Sequence, residues 1–216
     1  DSLVDVGLLG PFSPPAPVSQ VEHFTSTSSP WVETDTGDYL TVTSDTVTAA
    51  SWPLDTSAYL ERDLTSVGDF DWRFQFKLTS LSDGAFAAVV TLVTTAGGAD
   101  ASAVVDVYRS GSTYALRLNA IGAIGIAPGT AYYLRLTRTG VNVSLSVYDT
   151  SDCNEDPVGT VGPVPVGTGG RYVRLFGVGT VGLTGTLSGY VKDLNLGEAT
   201  DMDGQLLAGT YRYVYT

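Results

Sequence analysis

Residues Ala131–Thr150 read AYYLRLTRTGVNVSLSVYDT. Two runs of alternating apolar and polar residues flank Arg138-Thr139-Gly140-Val141, and Gly140 falls where a tight turn needs a positive φ. The segment therefore predicts a β-hairpin. Tyr132, Leu134 and Leu136 on the first arm, with Val141, Val143, Leu145 and Val147 on the second, are expected on the core face. Tyr133, Arg135, Thr137, Asn142, Ser144, Ser146 and Tyr148 point the other way. One buried and one wet face per strand is the pattern of an antiparallel sheet in a sandwich.

The same period extends outward from the hairpin. Phe70–Leu78 (FDWRFQFKL) alternates strictly, with Phe70, Trp72, Phe74, Phe76 and Leu78 against Asp71, Arg73, Gln75 and Lys77. An aromatic stripe at period two is read as core. Phe86–Thr94 is almost continuously apolar and predicts a strand buried on both faces. Val104–Tyr108 and Tyr114–Asn119 form a second hairpin around Arg109-Ser110-Gly111-Ser112. Tyr39–Thr43, Tyr172–Phe176 and Tyr190–Leu196 are further strands. No stretch carries a capped helical period, and the 25 glycines fall mainly between strands, as short turns require. The expected fold is all-β, a two-sheet antiparallel jelly-roll sandwich. It spans residues 31–198, after a Pro-rich extended N-terminal arm (1–30) and before a linker and C-terminal strand (199–216).

At 216 residues and 43% hydrophobic, the chain can bury a sizeable single core. Only 16% of residues are charged, and the formal net charge is -12. That balance excludes nucleic acid, which needs clustered Lys or Arg, and disfavours anionic membrane surfaces. A neutral partner such as a glycan, a cation, or a basic protein surface remains. Cys153 is the only cysteine, so no intrachain disulfide is expected. No apolar run of about 18 residues predicts a membrane-spanning helix. A start at Asp1 without a leader reads as a processed product or a fragment of something longer.

Three segments together resemble the concanavalin A-like lectin/glucanase superfamily, particularly its laminin-G-like members. They are FDWRFQFKL, the hairpin GTAYYLRLTRTGVNVSLSVYDT (129–150) and the closing LSGYVKDLNLG (187–197). The resemblance covers roughly residues 31–198 and implies a jelly roll that binds glycans or proteins, hydrolyses polysaccharide, or serves as a module on bacteriophage particles. The superfold does not choose among these. The glucanases of this superfamily carry Glu-x-Asp-x-x-Glu or Glu-x-Asp-x-Glu on one strand, and this chain has neither string. The nearest is Asp69-Phe70-Asp71-Trp72-Arg73, where Arg73 would keep both aspartates ionised, the opposite of what an acid catalyst needs. An Asp–Arg pair on a solvent face is therefore expected.

His23 is the only histidine and lies in the Pro-rich arm, so nucleophilic triads and zinc sites are not expected. Calcium is the metal to weigh, because it takes oxygen ligands. Asp149 and Asp152 lie in the acidic loop 149–156, and Asp193 matches, by the resemblance, a structural Ca²⁺ ligand of the family's glucanases. The expectation is no cofactor, with one structural Ca²⁺ as the alternative. For sugar binding, the aromatic candidates outside the core pattern are Trp52, Tyr59, Tyr108, Tyr133 and Tyr148, the last two beside Arg135 and Asn142.

Both ends look adhesive. Tyr211, Tyr213 and Tyr215 share a face of the terminal GTYRYVYT, and Leu8 and Phe12 belong to an apolar cluster at the front. Unpaired strand edges of this kind are usually covered, which predicts contacts with subunits of the same or a neighbouring kind. The expected function is a non-enzymatic, lectin-like structural or adhesion component of an extracellular assembly, such as a bacteriophage capsid decoration or tail, that contacts surface glycans. The alternatives are a carbohydrate-binding module of a secreted bacterial protein and a divergent glycoside hydrolase.

Overall fold

The computed structural model describes Phe24 and residues 30–98, 100–151, 153, 155–167 and 169–196. The first seven strands are β1 (Trp31–Asp35), β2 (Leu40–Val42), β3 (Thr46–Pro53), β4 (Ala58–Asp63), β5 (Phe70–Leu81), β6 (Phe86–Val93) and β7 (Ala101–Ser110). The rest are β8 (Thr113–Leu118), β9 (Ile121–Ile126), β10 (Ala131–Thr139), β11 (Asn142–Tyr148), β12 (Gly159–Pro165), β13 (Tyr172–Gly177) and β14 (Thr186–Asn195). There is no helix among the described residues. The front sheet runs β1-β4-β13-β6-β7-β8-β9 and the back sheet β12-β11-β10-β5-β14-β3-β2. The strand pairs are antiparallel, so the chain is the two-sheet sandwich that its alternation predicts.

Strand β5 lies at the centre of the back sheet, between β10 and β14. Phe70, Trp72, Phe74, Phe76 and Leu78 are buried, while Asp71, Arg73, Gln75 and Lys77 are half-buried on the outer face. The front sheet answers with Leu60, Val105, Val107, Leu116, Leu118, Val173 and Leu175, all fully buried. Phe24, in the segment expected as an arm, is buried with its ring edge-on to Trp31, and its N–H donates to the Ser44 carbonyl.

The two predicted hairpins share one turn device. In β10–β11 the Arg138 Nε donates to the Gly140 carbonyl and its Nη1 to the Val67 carbonyl, while Asp69 accepts the Gly140 N–H at 2.7 Å. In β7–β8 the Arg109 Nε donates to Gly111 O and its Nη1 to Leu81 O, while Asp83 accepts the Gly111 N–H at 2.6 Å. One hairpin is thus fastened to the loop before β5 and the other to the end of β5 and the loop after it. Both turns satisfy backbone groups that would otherwise compete for water.

Val141 corrects the expected core face. Thr139 pairs with Asn142, so Gly140 (φ 61°) and Val141 form a two-residue turn outside the ladder, and Val141 is 48% exposed. Strands β1, β3, β4, β9 (IGAIGI) and β12 (GTVGPVP) are additions to the expected set, and the last two meet at the sheet edges. Their glycines let the sheet edges meet: a Cβ at Gly122 would lie 2.7 Å from Val161, and one at Gly159 would lie 2.9 Å from Ile124.

Candidate functional site

Among the described residues, the outer face of the front sheet shows three carboxylate–arginine pairs, each with its guanidinium over a tyrosine. Asp63 pairs with Arg171, which lies over Tyr172 at 5.1 Å, and both charged groups are near half-exposed. Glu61 binds Arg174 at 2.5 Å, with Arg174 4.3 Å over Tyr59. This pair is covered, because Gly97 donates its N–H to Glu61 and Arg174 donates to the Gly98 carbonyl. The third pair is buried but lies beside a pocket. Arg117 reaches Asp106 through Nε at 2.7 Å and Nη2 at 2.6 Å, and its guanidinium lies 4.6 Å over Tyr108 and 5.8 Å over Phe86.

Asp106 and Arg117 stand opposite each other on β7 and β8, at the wall of a pocket of about 410 Å³. Trp52, Phe86, Asn119 and Leu183 line it with them. Phe86 is 42% exposed, whereas Asp106 is 4% exposed. Burial pushes the Asp106 carboxyl above its ordinary value, and the hydrogen bonds and charge of Arg117 only partly offset this. The backbone N–H of Ala120 acts in the same direction as Arg117.

The β8–β9 turn holds this arrangement. Leu118 pairs with Ile121, leaving Asn119 (φ 51°) and Ala120 (φ 59°) as a two-residue turn with both residues left-handed. Such a turn suits the strand twist and favours Asn first and Gly second, so Ala120 is strained. The Asn119 Oδ1 accepts the Val104 N–H at 2.7 Å, locking the turn to β7. The strain sits where the Ala120 N–H meets Asp106.

The residues expected to bind sugar are distributed differently. Tyr133 and Arg135 lie half-buried on the outer face of the back sheet, and Tyr148 is paired across from Tyr133. Tyr148 is nevertheless only 6% exposed, beside the Arg135 guanidinium, so it offers no free stacking face. Asn142 is at the turn end of the hairpin, six residues from Tyr148 and away from that cluster. Trp52 is 2% exposed, edge-on to Phe176 at 6.1 Å with its Nε1 donating to Thr56 O, so the expected exposed ring is instead part of the pocket floor.

Among the candidate metal ligands, Asp149 follows β11 and Asp193 is on β14, three strands away across the back sheet. Asp193 stands 3.9 Å from Lys192. Asp152 lies outside the described residues, as do Leu8, Phe12, Tyr211, Tyr213 and Tyr215. No group of three or more His, Cys, Asp or Glu side chains converges on a point among the described residues. The expected Asp–Arg pair on β5 is present and enlarged: Asp71 receives both Arg73 and Arg135.

Sequence reasoning passes over Asp106 and Arg117. Their signal lies in the second hairpin, where a turn at Gly111-Ser112 sets Ser110 against Thr113 and brings Asp106 opposite Arg117.

No protein-family model and no curated protein matches the chain. Its fold is similar to that of a polysaccharide lyase of family 18, aly-SJ02, at a TM-score of 0.52 and 10% identity, covering 77% of this chain and 93% of that one. The alginate lyase from Alteromonas sp. 272 is similar at a TM-score of 0.51 and 10% identity, with the same coverage. The likeness supports the jelly-roll sandwich. It also corrects the expectation of a non-enzymatic chain. These two solved folds are those of lyases, so a missing glucanase carboxylate string does not set catalysis aside. Neither of these structures is that of a bacteriophage particle protein.

Proposed function

We propose that the chain acts on carbohydrate and takes saccharide units in the Asp106–Arg117 pocket of the front sheet. The observation that carries this reading is a buried carboxylate–guanidinium pair beside an exposed aromatic ring. The pocket volume lies within the range of small-ligand sites. Phe86 offers a face to the C–H surface of a sugar ring, and Arg117 and Asp106 offer directional hydrogen bonds beside it.

Asp106 is the only carboxylate lining the pocket among the described residues, so the set does not fit hydrolysis by two opposed carboxyls. It fits proton transfer by a single group. A carboxyl whose affinity for protons is raised by burial exchanges a proton nearer neutrality than an ordinary one, and Arg117 opposes developing negative charge. The likeness to polysaccharide lyases supports placing that transfer in the cleavage of a polymer. An extracellular setting is part of the proposal, as is assembly with other subunits through Leu8, Phe12, Tyr211, Tyr213 and Tyr215. The bacteriophage setting rests on composition and the family resemblance.

The test is incubation with alginate, polygalacturonate and neutral glucans, following both retention and release of new chain ends. Binding or cleavage that is lost in Arg117→Ala and in Ala88→Trp, which fills the pocket from a residue of its lining, is the expected result. Inertness towards all three, or activity untouched by both changes, would sink the reading.

A further inference from the structure

The back sheet has an outer face that the pocket does not use. On a chain of net charge -12, lysine occurs only at positions 77 and 192, and both side chains stand on this face. Register gathers other groups around them. Gln75 of β5 pairs with Lys192 on one side and with Tyr133 on the other. One step along, Lys77 pairs with Tyr190; one step back, Arg73 pairs with Arg135. These residues alternate with the buried core set, so they project together from three adjacent strands.

Their charges are incompletely matched. Asp71 serves both Arg135, at 2.8 Å, and Arg73, at 3.2 Å. Lys192 has Asp45 at 3.5 Å and Asp193 at 3.9 Å. Lys77 has no carboxylate at ion-pair distance among the described residues. The Tyr190 hydroxyl donates to Gln75 Oε1 at 2.9 Å, which fixes the ring and leaves the Gln75 amide as a donor. The result is a tyrosine-bearing strip with four cations beside three carboxylates, a small positive excess on a strongly negative protein.

We propose that this strip is a second carbohydrate surface, specific for an anionic polysaccharide laid across β10, β5 and β14. Tyr133 and Tyr190 supply ring faces to the sugars, Gln75 a hydrogen-bond donor, and Lys77, Lys192 and Arg73 the countercharge. Charge complementarity selects the polymer's class: a second copy of this acidic chain would be repelled over most of its surface. A sheet face bearing separated rings and cations matches a repeating chain that offers a sugar face and an acid group in turn. The surface is on the opposite sheet from Asp106, so it would anchor a polymer without occupying the pocket.

The experiment is affinity electrophoresis of the full chain in gels containing polygalacturonate, dextran sulfate, neutral dextran or polyglutamate. Retardation by polygalacturonate, dextran sulfate or both, and not by dextran, is expected; the two gels tell carboxylate from sulfate recognition. Lys77→Gln with Lys192→Gln should weaken retention about tenfold, the scale of losing two solvent-exposed ion contacts. Tyr133→Ala should weaken it as well, while the pocket-filling Ala88→Trp leaves it unchanged. An unaltered melting temperature in the lysine variant shows that its fold is kept. Equal retention by polyglutamate, retention insensitive to the lysine changes, or no retention by either anionic polysaccharide overturns the proposal. Loss of retention in Ala88→Trp would reassign the binding to the front sheet.

Discussion

Asp71 receives Arg135 through both Nε and Nη2 at 2.8 Å, across the β5–β10 pair and two residues out of register. Burial alone would push this carboxyl up, but the hydrogen bonds from Arg135 and Arg73 outweigh it and hold it below its ordinary value. On the other sheet the balance reverses. Burial dominates at Asp106 and its carboxyl is pushed up despite Arg117. The two pairs therefore respond to acid in opposite senses.

Asp71 has a folded affinity for protons lower than its unfolded one. Its stabilisation is complete above the ordinary carboxylate range and is lost as the pH falls through the depressed folded value. Asp71→Asn should cost about 1–2 kcal/mol at pH 7, allowing for its partial exposure. Urea unfolding at pH 7 and pH 2 checks this, and the difference from the parent should shrink towards zero in acid. An equal cost at both values contradicts it.

Asp106 binds its proton more tightly when folded, so its contribution increases as the pH falls through its raised folded value towards the ordinary one. Arg117→Met strands the buried carboxylate and should cost about 3–5 kcal/mol at neutral pH. The loss should be smaller in mild acid. The double change Asp106→Asn with Arg117→Met should recover part of it, read as a coupling in a double-mutant cycle. Strictly additive costs would show that the pair does not interact as drawn.

Trp72 is 2% exposed and stacks on Phe70 with ring centroids 3.9 Å apart. Trp72→Ala should cost about 3–5 kcal/mol, the range for removing a core aromatic. Chemical denaturation measures it. A loss below about 1 kcal/mol would mean that the β5 stripe is not the sandwich core.

Ala120 occupies a left-handed position that glycine takes without a Cβ clash. Ala120→Gly should raise stability by roughly 0.5–1 kcal/mol while keeping the N–H that faces Asp106. A lower melting temperature would show that the turn is not strained at this residue.

How much of the fold and site is legible in the sequence depends on side-chain period. Strand β5 and the β10–β11 hairpin are visible because one face is apolar at every second residue. Strands β9 and β12 are not, since glycine and proline replace the apolar signal where two edges must approach each other. Trp52 and Tyr148 read as surface aromatics because neither sits on the apolar side of a clean alternation, yet tertiary packing covers both. The front-sheet pocket joins β3, β6, β7, β8 and the segment after β13, so its shape depends on contacts that no local window contains.

The placement of the lysines has a practical corollary. Among these 216 residues the only side-chain amines are those of Lys77 and Lys192, on neighbouring strands of one sheet. Coupling to an activated support at those two amines would orient the molecules alike, with the Asp106 pocket turned away from the matrix and open to the surrounding solution.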